Sequence, residues 1–171
     1  MKASEITKTE YFSYYKGYVD LVDDLPLIEA LESGLIATNK FFETIPNAKL
    51  HFQYAKEKWT PKEILLHLID TERVFCYRAL YFARNAGSSI EGFDENIFGA
   101  NCNANERDLD DLLKEFFSVR NATLHLFTSL SDEALKRGGK ANGNELSVRS
   151  IGFIICGHEI HHKNLIEERY L

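Results

Sequence analysis

Apolar residues recur along this chain at the three-to-four-residue spacing of amphipathic helices, in four long runs. In PLIEALESGLIATNKFFET, from Pro26 to Thr44, Leu27, Leu31, Leu35, Thr38 and Phe42 trace one stripe. Pro46 and Asn47 close that run, because proline cannot continue a helix. The second run carries the clearest start signal. Thr60 takes the N-cap, Pro61 the first helical position and Glu63 the third. Thr60 and Glu63 then form a capping box, each side chain satisfying an orphan backbone donor. Trp59 and Ile64 hold the staple positions on either side of the cap. Leu65, Leu68, Ile69, Phe75, Cys76 and Leu80 give this helix a broad apolar face as far as about Ala86, where Gly87 ends it. A third helix is predicted from Asp108 to Leu130, with Leu112, Phe116, Val119, Thr123 and Phe127 on one side. A fourth starts at Ser147, a plausible N-cap, and runs to the end of the chain.

The remaining segments are short or polar. SSIEGFDENIFGANCNANE is long for a helical connection, and such loops often cover a site or stay mobile. SDEALKR predicts one extra helical turn, and RGGKANGNE a loop or tight hairpin. The N-terminal YFSYYKGYVDLV resolves into no clear element. Its Tyr11, Tyr14, Tyr15 and Tyr18 are expected to pack across the bundle or a partner subunit, with a position over a cleft as the alternative. There is no repeat, low-complexity tract or linker. The pattern predicts an all-α protein, a helix bundle forming one domain over residues 1–171.

Composition narrows the function classes. A net charge of -6 without a Lys/Arg run argues against a nucleic-acid partner. The longest apolar stretch, IGFIICG, is far too short to span a bilayer. The N-terminus lacks the apolar centre of a signal peptide. Cys76, Cys102 and Cys156 are odd in number and widely spaced, so a cytoplasmic, reducing environment is expected. The aromatic and apolar content also suggests a homodimer.

The histidines carry the chemistry. His158 and His162, in GHEIHH, lie four apart and share one helical face. Two imidazoles so placed can chelate one ion at roughly 2.0–2.1 Å if a third ligand arrives from another helix. By residue type, His67 on the second helix and His125 on the third are equal candidates for that ligand. Three neutral nitrogens leave a coordination position open, the mark of a catalytic site rather than a closed structural one. HEIHH also matches the zinc-protease pattern, with Glu159 as general base. That match looks accidental. Leu165 and Glu168 stand where the extended protease motif needs Gly and His, and only KNLIEERYL remains downstream.

Taken together, EYFSYYKGYVDLV, WTPKEILLHLIDTERVF, GFDEN, ANGNELSVRSIGFIICGHEIHH and the terminal ERYL resemble the DinB-like (DinB/YfiT-like) metal-binding superfamily in order and spacing. The resemblance covers nearly the whole chain. It implies a four-helix bundle with two crossover connections, and the long polar connection is compatible with that. It also implies that His67, matching the family's first histidine, joins His158 and His162 as the metal ligands. Characterised relatives include metal-dependent transferases that use a low-molecular-weight thiol such as bacillithiol or mycothiol, and proposed metal-dependent hydrolases.

Three functions follow as expectations. In the first, a divalent ion binds the sulfur of a thiol cosubstrate and activates it against a small-molecule substrate. In the second, the ion activates water for hydrolysis. In the third, the ion only stabilises the bundle of a stress-response module. Zinc or nickel suits imidazole ligands, with iron or cobalt as further choices. Asp70, three residues after His67, is expected to orient its imidazole. Glu63 is assigned to capping. Arg73, Arg78, Arg84, Arg120 and Arg149 are expected mostly as surface ion-pair partners, with binding of an anionic cosubstrate as the alternative.

Overall fold

The computed structural model describes residues 1–171, and its four long helices begin where the caps predict. A short helix α1 (Lys16–Val19) precedes the first of them, α2 (Leu27–Thr44), for which Pro26 is the N-cap. The second, α3 (Pro61–Arg84), has the Thr60–Glu63 capping box. Glu63 N–H donates to Thr60 Oγ1 at 3.2 Å, and Thr60 N–H donates to Glu63 Oε2 at 2.7 Å. The helix stops two residues short of Ala86, a normal margin for a fraying end. Leu80 sits on its exposed side, against expectation.

The long polar connection is not structureless. It forms a two-residue strand β1 (Ser89–Ile90) and a helical turn α4 (Glu95–Ala100). Asp94 caps α4, accepting from the N–H groups of Asn96 and Ile97 at 2.8 and 3.2 Å. Next come the third long helix, α5 (Leu109–Thr128), and the short α6 (Asp132–Lys136). Strands β2 (Gly138–Ala141) and β3 (Asn144–Ser147) form the expected hairpin, and β2 also pairs in parallel with β1. Its turn is Asn142-Gly143, both at positive φ (51° and 76°), the conformation a tight two-residue hairpin requires. The fourth long helix is α7 (Val148–Arg169), and Ser147 caps it by accepting from Ser150 N–H.

Packing fixes the connectivity. Both α2 and α3 pack against α5 and α7, so the consecutive helices α2 and α3 stand at opposite corners of the bundle, as do α5 and α7. The chain crosses the bundle twice, between α2 and α3 and between α5 and α7. The long polar connection joins the neighbours α3 and α5, so it is not one of the two crossovers.

The core is divided. One apolar cluster, with Leu31, Phe75, Phe82, Phe127, Ile151 and Phe153, fills one end of the bundle. A second, with Phe42, Leu65, Ile69, Leu112, Phe116 and Ile166, fills the other. Between them lies a belt of buried polar side chains: Thr38 on α2, Thr71 and Glu72 on α3, Arg120 and Thr123 on α5, His158, Glu159 and His162 on α7. The N-terminal segment is strapped across this bundle by Glu10. Its carboxylate accepts from Arg149 Nε and Nη2, both at 2.6 Å, and from Ser147 Oγ at 2.9 Å. Burial raises the Glu10 pKa, but these bonds outweigh it and hold the group down at about 2.

Candidate metal centre and its cavity

Two parts of the polar belt behave differently. On one side, Arg120 is 1% exposed and gives a fork of hydrogen bonds to Glu72, from Nε at 2.8 Å and Nη2 at 2.9 Å. Its Nη2 also donates to Glu159 Oε2 at 2.6 Å, and its Nη1 to the Leu31 carbonyl at 2.9 Å. Thr123 completes Glu72, and Thr38 completes Glu159 at 2.5 Å, with Lys163 Nζ 3.6 Å away. Burial works against the charge on Arg120, but the two carboxylates raise its pKa well above the ordinary value. This corrects the expectation that Arg120 is a surface residue. It also explains why the protease-like pattern is idle: Glu159 is a structural carboxylate, locked by Arg120 and Thr38, with no free face to act as a base.

On the other side, His67 reaches in from α3 and meets His158 and His162 from α7. His67 Nε2 lies 3.1 Å from His158 Nε2, and His162 Nε2 lies 3.0 Å from the same atom. One nitrogen from each ring fits within a 4.8 Å span. His125 and His51 are exposed and take no part. Burial pushes His67 down to about 4. Burial first, then the neighbouring His67 and His161, pushes His162 down to about 3; burial, then His162, His67 and His161, pushes His158 well below the usual value. All three rings are therefore neutral near pH 7, the form that binds metals.

The donor set fits a cation. A tetrahedral ion with ligands at roughly 2.0–2.1 Å holds its donors about 3.3 Å apart, close to the spacing of His158 Nε2 from each of the other two nitrogens. Without a cation, a neutral ring offers one N–H, so three converging nitrogens cannot all satisfy one another. His162 Nδ1 is also buried without a partner.

Thr71, one turn after His67, places its hydroxyl 3.4 Å from His67 Nδ1. An Nδ1–H bond to that oxygen leaves the Nε2 lone pair facing the cluster. Asp70 does not take the orienting role expected of it. Its carboxylate accepts from Arg73 Nη1 at 3.2 Å at the edge of the helix. Thr71 wins because it stands four residues from His67, over the same face, with a side chain short enough to remain buried beside the ring.

The histidines floor a cavity of about 360 Å³, walled on one side by the N-terminal tyrosines and on the other by Phe93 and the hairpin residues Asn142 and Asn144. Tyr18 stands edge-on to His158 and His161, with ring centroids 5.3 and 5.2 Å apart. Gly157 makes this possible: a Cβ there would sit 1.9 Å from the Tyr18 carbonyl oxygen, so only glycine lets α1 lie on α7. Burial raises the Tyr18 pKa and keeps the phenol protonated. Tyr14 and Tyr15 also line the cavity, so three of the four tyrosines cover a cleft, while Tyr11 is buried in the core. Trp59 closes the far wall, its ring 4.6 Å from that of His67.

Cys76 and Cys156 are no rivals for this chemistry. Burial raises each thiol to about 12. Cys102 is half-buried beside the second apolar cluster.

The family model of the DinB superfamily matches residues 30–166. The chain belongs to that superfamily. Among solved structures, this DinB-superfamily protein is similar to YfiT of Bacillus subtilis, described as a probable metal-dependent hydrolase with an unusual four-helix bundle topology. The TM-score is 0.75 at 19% identity, over 83% of this chain and 82% of that one. A DinB-like protein of the same organism, YjoA, aligns with a TM-score of 0.58 and 20% identity over 84% and 89%. A mycothiol-dependent maleylpyruvate isomerase aligns at 0.61 and 13%, over 82% of this chain and 60% of that one. At these identities the likeness establishes a shared fold. No curated protein matches the chain in sequence. No helix is long and apolar enough to cross a membrane.

Proposed function

We propose that this DinB-superfamily protein is a metal-dependent enzyme that transfers a small-molecule group to a low-molecular-weight thiol. His67, His158 and His162 would hold one divalent ion, zinc or nickel by the softness of imidazole. The carrying observation is the convergence of three imidazoles, His67 half-buried and His158 and His162 buried, at the floor of an aromatic-walled cavity. When bound, such an ion supplies Lewis acidity, which lowers the pKa of a thiol or water beside it.

The rest is done by the chain. Thr71 holds the His67 ring in one tautomer. Trp59, Tyr15, Tyr18 and Phe75 exclude water and offer apolar surface to a substrate. Tyr18, neutral and beside the histidines, is placed to donate a proton to a leaving group.

A hydrolase is the second reading, supported by the likeness to YfiT. The cavity walls favour the thiol. Water beside the ion would have its pKa lowered to about 7 and would still gain from a base that takes its proton. Glu95 is the one carboxylate on the cavity wall and it is exposed, while Glu159 and Asp70 are both engaged elsewhere. A thiol starts from a pKa of about 8.5, and coordination would deprotonate it outright, so it needs less help from a base.

The test is to purify the protein with its native metal, then assay thiol conjugation and ester or amide hydrolysis before and after chelation. Thiol-dependent turnover that disappears on chelation, from a protein that stays folded, is the expected result. Turnover without thiol would move the assignment to a hydrolase. Loss of folding with no turnover in any assay would leave the ion a structural role.

A further inference from the structure

The cavity contains a charge that the metal centre does not use. Arg78, on α3, is 4% exposed. It makes none of the ion pairs that hold Arg73, Arg107, Arg120, Arg137 and Arg149. Its Nε is buried without any partner. The guanidinium lies between two aromatic rings, 5.4 Å from the centroid of Phe75 and 5.6 Å from that of Phe93. Those faces hold the cation but bring it no negative charge. The Tyr15 hydroxyl is near enough to accept from the guanidinium, yet a neutral phenol cannot neutralise it.

A buried cation with no counter-charge is costly, so it needs a reason to be there. Arg120 shows what the same chain does with a structural arginine: two carboxylates and two threonines complete that network. Arg78 has nothing of the kind, and it shares its cavity with the histidines.

We infer that Arg78 is the docking site for a carboxylate on the small molecule that the cavity binds. This rests on the reading of the histidine cluster as the reacting end of that cavity. One guanidinium matches one negative charge in a planar, two-pronged geometry, which suits a carboxylate better than a phosphate of charge about -1.5 to -2. Asn96, Asn142 and Asn144 add neutral polar groups to the lining of the same cavity. The spacing bounds the ligand. Eleven residues of helix from His67 to Arg78 rise about 16 Å. Arg78 leans back one turn over Phe75, which leaves on the order of 10 Å between its tip and the histidines. The ligand is thus of dipeptide or tripeptide size, with its carboxylate at the end remote from the reacting atom.

The experiment uses the full-length metal-free protein and two probes of one shape, 4-phenylbutanoate and 4-phenylbutanamide. Trp59, the single tryptophan, lines the cavity and reports binding by fluorescence. The carboxylate should bind at least about tenfold more tightly than the amide, the scale of a hydrogen bond to a charged group. Arg78→Met should abolish that preference, and Arg78→Lys should keep part of it. Glu95→Gln, which removes the only carboxylate on the wall, should strengthen carboxylate binding and leave the amide unchanged. Equal binding of both probes by the unsubstituted protein, or a preference surviving in Arg78→Met, would overturn the assignment, as would inorganic phosphate displacing the carboxylate at lower concentration. Should Arg78→Met fail to fold, the two-probe comparison and Glu95→Gln still decide. Zinc titration separates the two ideas. Zinc binding without carboxylate preference removes Arg78 and leaves the metal centre, whereas carboxylate preference without zinc binding does the reverse.

Discussion

The arginine network and the histidine cluster are the two halves of one polar belt, and they share helices down to adjacent residues. Glu159 belongs to the first and His158 to the second; on α3, Glu72 and Thr71 divide in the same way. Both halves are buried between the same two apolar clusters. They differ in completeness. Around Arg120 every charge meets its opposite within the chain, and each carboxylate oxygen has a donor. Around His158 the nitrogens face one another, one imidazole nitrogen is orphaned, and the cluster opens on a cavity. Burial alone therefore does not separate structure from function in this protein. What separates them is whether the polar groups find their partners inside the fold.

The largest expected effect comes from breaking the complete half. Arg120→Met strands two buried carboxylates and should destabilise the protein by about 3–5 kcal/mol, read as a lower urea midpoint at unchanged slope. Adding Glu72→Gln and Glu159→Gln to that variant should restore most of the loss, since replacing a whole buried ion network is far milder than orphaning part of it. A triple variant as unstable as Arg120→Met would show that the network contributes net stability rather than mere self-compensation.

The histidine half should respond to metal instead. At a free zinc concentration of 100 times Kd, a single site stabilises the fold by about 2.7 kcal/mol. Thermal unfolding of the unsubstituted protein should show that gain, and His158→Gln should show none. A zinc-induced shift of equal size in His158→Gln would break the contrast between the two halves.

How far the sequence anticipates this belt depends on whether a residue announces its own role. The capping box at Thr60, the turn at Asn142-Gly143 and the spacing of His158 and His162 are local signals, and each appears in the structure where the pattern puts it. His67 is different. On residue type it is no better than His125, and only the family resemblance chooses it; the three-dimensional reason is that α3 packs on α7 and places His67 beside the pair. Arg120 departs from expectation because arginine on an amphipathic helix is usually solvated. A signal was nevertheless present: Phe116, Arg120, Thr123 and Phe127 continue one apolar stripe at helical spacing, as do Phe75, Arg78, Ala79 and Phe82 on α3. A charged residue in phase with a buried stripe is a better guide to a polar core than its type. The α4 turn has no periodic apolar pattern, and its one local signal is Asp94, a good N-cap inside a polar stretch.

Acid should separate the halves at a smaller scale. An unfolded histidine protonates near pH 6.5, whereas burial holds His67 near 4 and His162 near 3 in the fold. Between those values the unfolded chain binds more protons, so the metal-free protein loses stability as pH falls from about 6.5, with His67 contributing down to about pH 4 and His162 down to about pH 3. For His67 alone this amounts to about 1–3 kcal/mol. His67→Gln should flatten the upper part of that pH profile in urea denaturation. A profile with the same slope in both proteins would mean that the buried rings are not neutral.

The smallest effects lie beside His67, and they distinguish the threonine from the aspartate. Thr71→Val removes the hydroxyl 3.4 Å from Nδ1. Partners of this kind affect metal affinity by about 10–100-fold, and so long a contact belongs at the lower end. Asp70→Asn should leave zinc affinity unchanged. Its only hydrogen bond is to the exposed Arg73, an interaction that contributes at most about 1 kcal/mol to stability. Isothermal titration of zinc into both variants reads the difference directly. If Asp70→Asn weakened zinc and Thr71→Val did not, the carboxylate would be the group that orients His67 after all. The boundary between the structural and functional halves would then have to include the Asp70–Arg73–Glu115 edge of the bundle.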